Sequence, residues 1–372
     1  MLQRPLLPTD PINWLAATRP DVPVHFFSPV ALRDRLCAFQ DGFPGMVTYA
    51  VKANPSRLVL SELCAGGIEG FDVASPQEIA TIRKICPGAV LHYNNPVRST
   101  EEIAAGIAAG VASWSVDDRA ELDKLIAAGI GGEVAVRFKL PVAGAHYDFG
   151  AKFGAEEAEA VALLSRVATA GLTPALTFHV GTQCGDPEAY ATYLAAAARI
   201  ARAAGVQVAR VNVGGGFPSA RNGQPLDLTP YFDAIRGALA HFETPPALVC
   251  EPGRGLVADS FAYAVRVKSL RSGRAYLNDG IYGGLSEFPS MVLPAFRVFA
   301  PEGTTRAAAS TARIVFGPTC DSLDQLPAPL DLPGDLAEGD YILFGSMGAY
   351  LTGVTTRFNG YGARDTVEVA RL

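Results

Sequence analysis

The chain has 372 residues, 49% hydrophobic and 18% charged, with a formal net charge of −6. That length is too great for one small core and predicts either one large barrel with a second domain or two domains. No basic stripe is present to meet nucleic acid, and no apolar run approaches the length of a spanning helix.

A run at 22–27 reads as a strand, placed to join a sheet formed later in the chain. From there to residue 251, short β-branched runs alternate with stretches of helical periodicity. Strands are predicted over 46–51, 70–73, 90–93, 113–116, 133–138, 175–179, 208–213 and 247–251. Helices are predicted over 76–85, 100–109, 119–128, 155–170, 187–204 and 228–241. Such β/α units in series fit a closed (β/α)8 barrel better than an open doubly wound sheet. The glycine fingerprint that an open dinucleotide-binding sheet needs in its first βα turn is absent.

After residue 251 the pattern changes to strands with Gly and Pro punctuation, at 257–270, 274–276, 313–316, 341–344 and 366–369, with a Pro-rich loop at 325–334. The expected architecture is therefore α/β plus β. A (β/α)8 barrel spans 30–251, and a β-sandwich or β-barrel domain comprises 252–372 with the N-terminal strand in 1–29.

Residues 1–8 carry an arginine and no continuous apolar stretch, so no secretory leader is expected. The six cysteines (Cys37, Cys64, Cys86, Cys184, Cys250 and Cys320) form no CxxC pair, and there are five histidines. A disulfide framework and a metal site are not expected, and a cytoplasmic location is.

Chemistry collects where barrel strands end. Lys52 follows the apolar run Tyr49-Ala50-Val51 and precedes the break at Asn54-Pro55. An amine at that face of a barrel can condense with an aldehyde and anchor pyridoxal 5'-phosphate (PLP) as a Schiff base. The alternative is a surface lysine closing an ordinary strand. Asp72, with Glu78 just after it, and Arg137 end two further strands. His179 and Thr182 share another strand end in Phe178-His179-Val180-Gly181-Thr182-Gln183, where a purely structural histidine is the competing reading.

Gly214, Gly215 and Gly216 follow a strand and can present backbone N–H groups to a phosphate. Glu251-Pro252-Gly253-Arg254 sets a carboxylate near a guanidinium. A carboxylate facing a pyridine nitrogen keeps it protonated, whereas in isolation this pair reads as a salt bridge. Cys320-Asp321 joins a thiol, a proton donor, to an acid that can take a cationic amine. Tyr350 and Phe358 add aromatic groups near the C-terminus.

Taken in this order, Tyr-Ala-Val-Lys52, Phe-Asp72-Val-Ala-Ser, His179-Val-Gly-Thr-Gln, Gly-Gly-Gly-Phe-Pro, Glu251-Pro-Gly-Arg, Cys320-Asp-Ser and Gly-Ala-Tyr350 resemble the fold type III PLP-dependent decarboxylases, the ornithine/diaminopimelate/arginine decarboxylase family. The likeness runs from about Val22 to Tyr361. Asn278-Asp-Gly, Gly-Pro-Thr-Cys-Asp and Phe358-Asn-Gly-Tyr are most similar to the ornithine branch.

The resemblance implies an alanine racemase-like barrel carrying PLP on Lys52. It implies that His179 stacks on the ring and Glu251 meets its nitrogen. Gly214–Gly216, Gly253, Arg254 and Tyr350 then hold the phosphate, with Thr182 nearby, and Asp72 and Arg137 support Lys52. Cys320 returns a proton after carbon dioxide leaves, and Asp321, with Phe358, receives the substrate's distal end. Cys320 and Asp321 are expected to serve a partner subunit's site in a head-to-tail homodimer.

One departure bears on the substrate. After Glu287, where the ornithine and lysine branch carries a second acid for the distal ammonium, this chain reads Phe288-Pro-Ser-Met291. One carboxylate instead of two weakens a buried ammonium by ~1–3 kcal/mol, unless Glu287 compensates. Ornithine leads, then lysine, giving putrescine or cadaverine for polyamine synthesis. A differently substituted substrate, diaminopimelate-like or carboxynorspermidine-like, is the alternative. The diaminopimelate branch carries Glu where Asp321 stands, and arginine decarboxylases are expected to be much longer chains. A racemase needs a second base instead of Cys320-Asp321. A non-catalytic PLP-binding regulator would not be expected to keep Lys52, His179, Glu251 and Cys320.

Overall fold

The computed structural model describes residues 8–140, 152–221 and 223–372, so the segment on which the leader reading mostly rests lies outside the described residues. Two compact units emerge: Met1–Asp34, Ser219–Pro225 and Val257–Leu372 form the first, and Arg35–Pro218 with Leu226–Leu256 the second. The helices, in chain order, are α1 (Pro11–Thr18), α2 (Pro29–Gly42), α3 (Arg57–Ala65), α4 (Pro76–Ile85), α5 (Thr100–Ala108), α6 (Arg119–Ala127), α7 (Glu157–Thr169), α8 (Glu188–Ala204), α9 (Thr229–Ala238) and the single turn α10 (Arg254–Val257). Among the described residues none is long and apolar enough to cross a membrane.

Strand β1 (Val24–Phe27) belongs to the first unit. The second unit is a closed parallel barrel of β2 (Met46–Ala50), β3 (Gly70–Val73), β4 (Val90–Tyr93), β5 (Ser113–Val116), β6 (Glu133–Arg137), β7 (Thr173–Thr177), β8 (Arg210–Asn212) and β9 (Ala247–Cys250). Closure is made by β9 on β2, with Met46 opposite Val249. Because helices cover a parallel barrel and side chains fill it, most strand residues are buried. A polar layer crosses the strands' starting ends. There Arg210 pairs with Glu133 at 3.1 Å and meets the His92 ring at 3.2 Å. Burial pushes the His92 pKa down to about 3, so the ring stays neutral beside that guanidinium.

At the other ends, capping sets the turns that carry chemistry. Ser75 caps α4 by accepting from the Glu78 N–H, Pro76 occupies the first turn, and the Glu78 carboxylate accepts from the Ala74 N–H at 2.7 Å. On α5, Ser99 and Glu102 form a full capping box, the Glu102 carboxylate accepting the Ser99 N–H itself.

The first unit is built on an eight-stranded sheet containing β10 (Phe261–Arg271), β11 (Arg274–Leu277), β12 (Phe296–Phe299), β13 (Ser310–Phe316), β14 (Leu330–Pro333), β15 (Tyr341–Phe344) and β16 (Thr366–Glu368), ordered β12-β15-β10-β11-β13-β14, with β1 between β10 and β16. As the 22–27 run suggests, β1 enters this sheet, antiparallel to β10 and parallel to β16. The two-residue period of a strand divides β10 between two cores. Tyr263, Val265 and Val267 enter one core, with Leu277, Val315 and Ile342. Ala262 and Ala264 enter the other, with Leu15, Phe26 and Leu343.

Three expectations are corrected. The strand read from 257 begins only at Phe261, because α10 and a 3-10 turn at Ala258–Ser260 occupy the preceding residues. The stretch read as a loop at 325–334 contains β14, which includes Pro333 and lies at the end of the strand order, an edge where proline is tolerated. Cys64 and Cys86, expected to be free, are joined as a disulfide across a sequence separation of 22. The bond ties the end of α3 to the residue closing α4, a proximity of helix ends that Cys spacing does not reveal.

Candidate active site

Lys52 lies two residues past β2, in a 3-10 turn (Val51–Ala53) closed by the Asn54 N–H on the Val51 carbonyl. Its side chain is half exposed, and Nζ stands 3.9 Å from Asp72 Oδ2. Asp72 is buried at the third position of β3. Burial raises its pKa, against the opposing pull of Lys52 and Arg137.

Glu251 directly follows β9 and is also buried. Its carboxylate accepts from the side-chain amides of Asn94 and Asn212. Burial first, then the neighbouring Asp72 carboxylate, pushes its pKa up to about 8. The two acids therefore share one field, with Lys52 and Arg137 as its cations. Arg137 ends β6, its guanidinium 5.2 Å from the centre of the Phe153 ring. Burial lowers its pKa from the ordinary value.

His179 Nδ1 accepts the Gly181 N–H at 3.0 Å, which leaves the proton of the neutral ring on Nε2. Burial, then the charges of Lys52 and Arg137, hold this imidazole neutral, its pKa well below the usual range. Thr182 follows, half-buried, between Gly181 and Gln183, both with positive φ.

The glycine run after β8 is a cradle with no room for side chains. A Cβ at Gly214 would collide with the Phe178 carbonyl oxygen, and one at Gly216 with that of Gly181. A Cβ at Gly215 would stand 3.3 Å from His179 Nε2. Gly214 and Gly216 have φ of 69° and 90°, so the backbone alternates in handedness as an anion nest requires. Gly253 is pressed against Ala53 and Ala50, beside the Lys52 turn, and Arg254 is buried at the start of α10.

The remaining predicted residues belong to the first unit. Cys320 is exposed, with both its N–H and its Sγ directed at Asn359 Oδ1, at 3.2 and 3.3 Å. Asp321 accepts the Tyr282 hydroxyl at 2.5 Å and the Leu323 N–H at 2.9 Å, bonds that lower its pKa. Phe358 packs against Tyr282, ring centres 5.3 Å apart. Tyr350 holds a positive φ of 59°. Glu287, considered above as a second acid for substrate, is engaged by the buried Arg221 at 3.3 Å.

Sequence reading missed Asn94, Asn212 and Tyr282. Asn94 was accessible in principle, since it follows a strand as Tyr93-Asn94-Asn95-Pro96. Tyr282 carried no signal, because its relation to Asp321 is purely tertiary.

Comparison with known proteins converges with this geometry. The pyridoxal-binding domain of the pyridoxal-dependent decarboxylases matches residues 31–258. The chain belongs to this family. A lysine/ornithine decarboxylase from Selenomonas ruminantium is 32% identical over 86% of this chain and 82% of its own. The solved arginine decarboxylase of Paramecium bursaria Chlorella virus, bound to agmatine, is 26% identical with a TM-score of 0.85, over 96% of this chain and 98% of that one. A lysine/ornithine decarboxylase from Vibrio vulnificus in complex with putrescine is 25% identical with a TM-score of 0.83, over 98% and 99%. The viral protein corrects the expectation about length: an arginine decarboxylase need not be longer than this chain.

The residues present fit the family's cofactor. A side-chain-free nest suits a phosphate dianion, a buried acid held by two amides suits a ring nitrogen, and a half-exposed amine lies beside them. The enzyme is accordingly a PLP-dependent carboxy-lyase.

Proposed function

We propose that the enzyme removes the α-carboxylate of a basic L-amino acid, ornithine first and lysine second, to give putrescine or cadaverine for polyamine synthesis. The observation that carries the reading is the Cys320-Asp321 turn, an exposed thiol next to a carboxylate kept ionised by the Tyr282 hydroxyl. Bound PLP supplies the electron sink for the pair left when carbon dioxide departs.

The chain's own residues do the rest. Lys52 holds the cofactor through Nζ, with Asp72 and Arg137 setting the charge around it. Glu251 offers its carboxylate to the ring nitrogen, and the neutral His179 ring serves to stack on the cofactor ring. Gly214–Gly216, Gly253, Arg254, Tyr350 and Thr182 serve the phosphate. Cys320 Sγ delivers the proton that replaces the carboxylate, and Asp321, flanked by Phe358, orients the distal cation.

A head-to-tail homodimer belongs to this reading, supported by the exposure of Cys320 and by Leu323, 71% exposed on the same turn. A cytoplasmic site of action is also part of it, and the Cys64–Cys86 bond is the observation that stands against it.

With Glu287 engaged by Arg221, Asp321 is left as a single acid, and this favours arginine as a second reading. A guanidinium fork is matched bidentately by one carboxylate, whereas a buried ammonium seeks more acceptors. The test is carbon dioxide and amine release from ornithine, lysine, arginine, diaminopimelate and carboxynorspermidine by the PLP-loaded enzyme and by Lys52→Ala. Putrescine or cadaverine formation that disappears in Lys52→Ala supports the proposal. Agmatine alone selects the second reading, and turnover undiminished in Lys52→Ala removes the assigned centre.

A further inference from the structure

Beneath the glycine nest lies a buried tyrosine that the reaction does not use. Tyr190, near the start of α8, is fully buried and donates its hydroxyl to the Gly215 carbonyl at 2.9 Å. Its ring stacks on Phe217, centres 4.9 Å apart, and meets Tyr231 edge-on at 6.1 Å. The neighbouring carbonyls are held in the same manner. The Gly214 carbonyl accepts from the Glu251 N–H at 2.8 Å, and the Gly216 carbonyl from the Cys184 N–H at 2.9 Å. Cys184 is tied in turn by the Tyr231 hydroxyl on its own carbonyl at 3.1 Å.

A trans peptide is planar, so its N–H points opposite its carbonyl. Pinning the carbonyls of Gly214, Gly215 and Gly216 therefore fixes the directions of the Gly215, Gly216 and Phe217 N–H groups. Among the described residues no backbone carbonyl takes up these three N–H groups. Two of the three clamps are backbone to backbone and persist with any side chains. The middle one is a side chain. Without it the Gly215–Gly216 peptide, flanked by residues free of Cβ strain, is able to rotate.

We propose that Tyr190 is a positioning residue for phosphate: its hydroxyl locks the Gly215–Gly216 peptide so that the Gly216 N–H faces the anion. The inference rests on the reading of the nest as the phosphate site. Burial holds the phenol pKa well above its ordinary value, so the hydroxyl remains a donor across the working pH range.

The test compares PLP with pyridoxal, which lacks the phosphate, in spectroscopic titrations of the cofactor-free protein. Tyr190→Phe keeps the ring and its stacking. The expected result is a fall of about tenfold in the ratio of PLP to pyridoxal affinity, the equivalent of one lost hydrogen-bond alignment. Pyridoxal affinity and melting temperature stay near wild type. A parallel loss for both ligands, or an unchanged ratio, overturns the positioning role. If wild type itself binds the two ligands equally, the phosphate reading of the nest fails, and the role of Tyr190 falls with it. Should Tyr190→Phe not fold, the Gly216 amide resonance of the wild-type protein decides: a downfield shift on adding inorganic phosphate is expected, and its absence overturns the inference.

Discussion

The Glu251 carboxyl should make the cofactor-free enzyme lose stability as pH rises, and Glu251→Gln should remove most of that loss. In the folded chain this acid titrates near 8, raised chiefly by burial and then by Asp72, against 4.5 for an ordinary glutamate. Between those values the folded state keeps a proton that the unfolded state releases. Its contribution to stability is therefore complete below pH 4.5 and is lost as pH climbs through 8. At about 1.4 kcal/mol per pH unit, the shift is worth roughly 3–5 kcal/mol over that window. Asp72, also raised by burial, adds a loss of the same sign. The glutamine keeps an acceptor oxygen for Asn94 or Asn212 but has nothing to titrate. Urea unfolding of cofactor-free protein from pH 4.5 to 8 reads both slopes. The variant should retain less than half of the wild-type loss, and saturating PLP should flatten the wild-type slope by giving the ionised acid a partner. Equal slopes in the two proteins, or stability that rises with pH in both, would refute the reasoning.

Two further outcomes follow from the geometry. Gly214→Ala places a Cβ against the Phe178 carbonyl in a left-handed backbone; thermal unfolding should show a loss of at least ~2 kcal/mol together with weakened PLP binding. An unperturbed melting curve would mean that the loop relaxes and is not the tight cradle described. Reducing Cys64–Cys86, which closes a loop with a separation of 22, should cost about 3 kcal/mol against denaturant. If dithiothreitol changes nothing and Cys64→Ser behaves like wild type, the pair is not bonded in solution.

Barrel strands were readable because their signal is local. The runs at 70–73, 90–93 and 113–116 match β3, β4 and β5 residue for residue. Strand ends at β2, β6 and β9 fall one residue earlier than predicted, where the chain turns into the loops that bear Lys52, Phe138 and Glu251. Helix α1 escaped although Asp10 as cap and Pro11 at the first position announce it. Strands β12 and β14 escaped because four residues beside proline carry too little period to separate strand from loop. At the site, groups placed by a motif on one strand end were accessible from sequence. Groups that act from another element were not: Asn212 on Glu251, Tyr190 on Gly215, and Arg221, whose hold on Glu287 changes what that acid can do.

The pairing of β1 has a consequence for synthesis. His25 lies opposite Tyr263 on one side and Thr366 on the other, and the Pro8 and Thr9 carbonyls accept from Ala370 and Arg371. A chain emerging from the ribosome therefore carries β1 without a partner throughout the translation of the barrel strands, and the sheet containing it is completed only once β16 has been made. In the barrel only the closing pair of β2 with β9 waits in the same way, and every other neighbouring pair is successive in sequence. An early apolar strand waiting for a late partner is a long-range pairing of the kind that slows folding and leaves an edge open to the wrong neighbour.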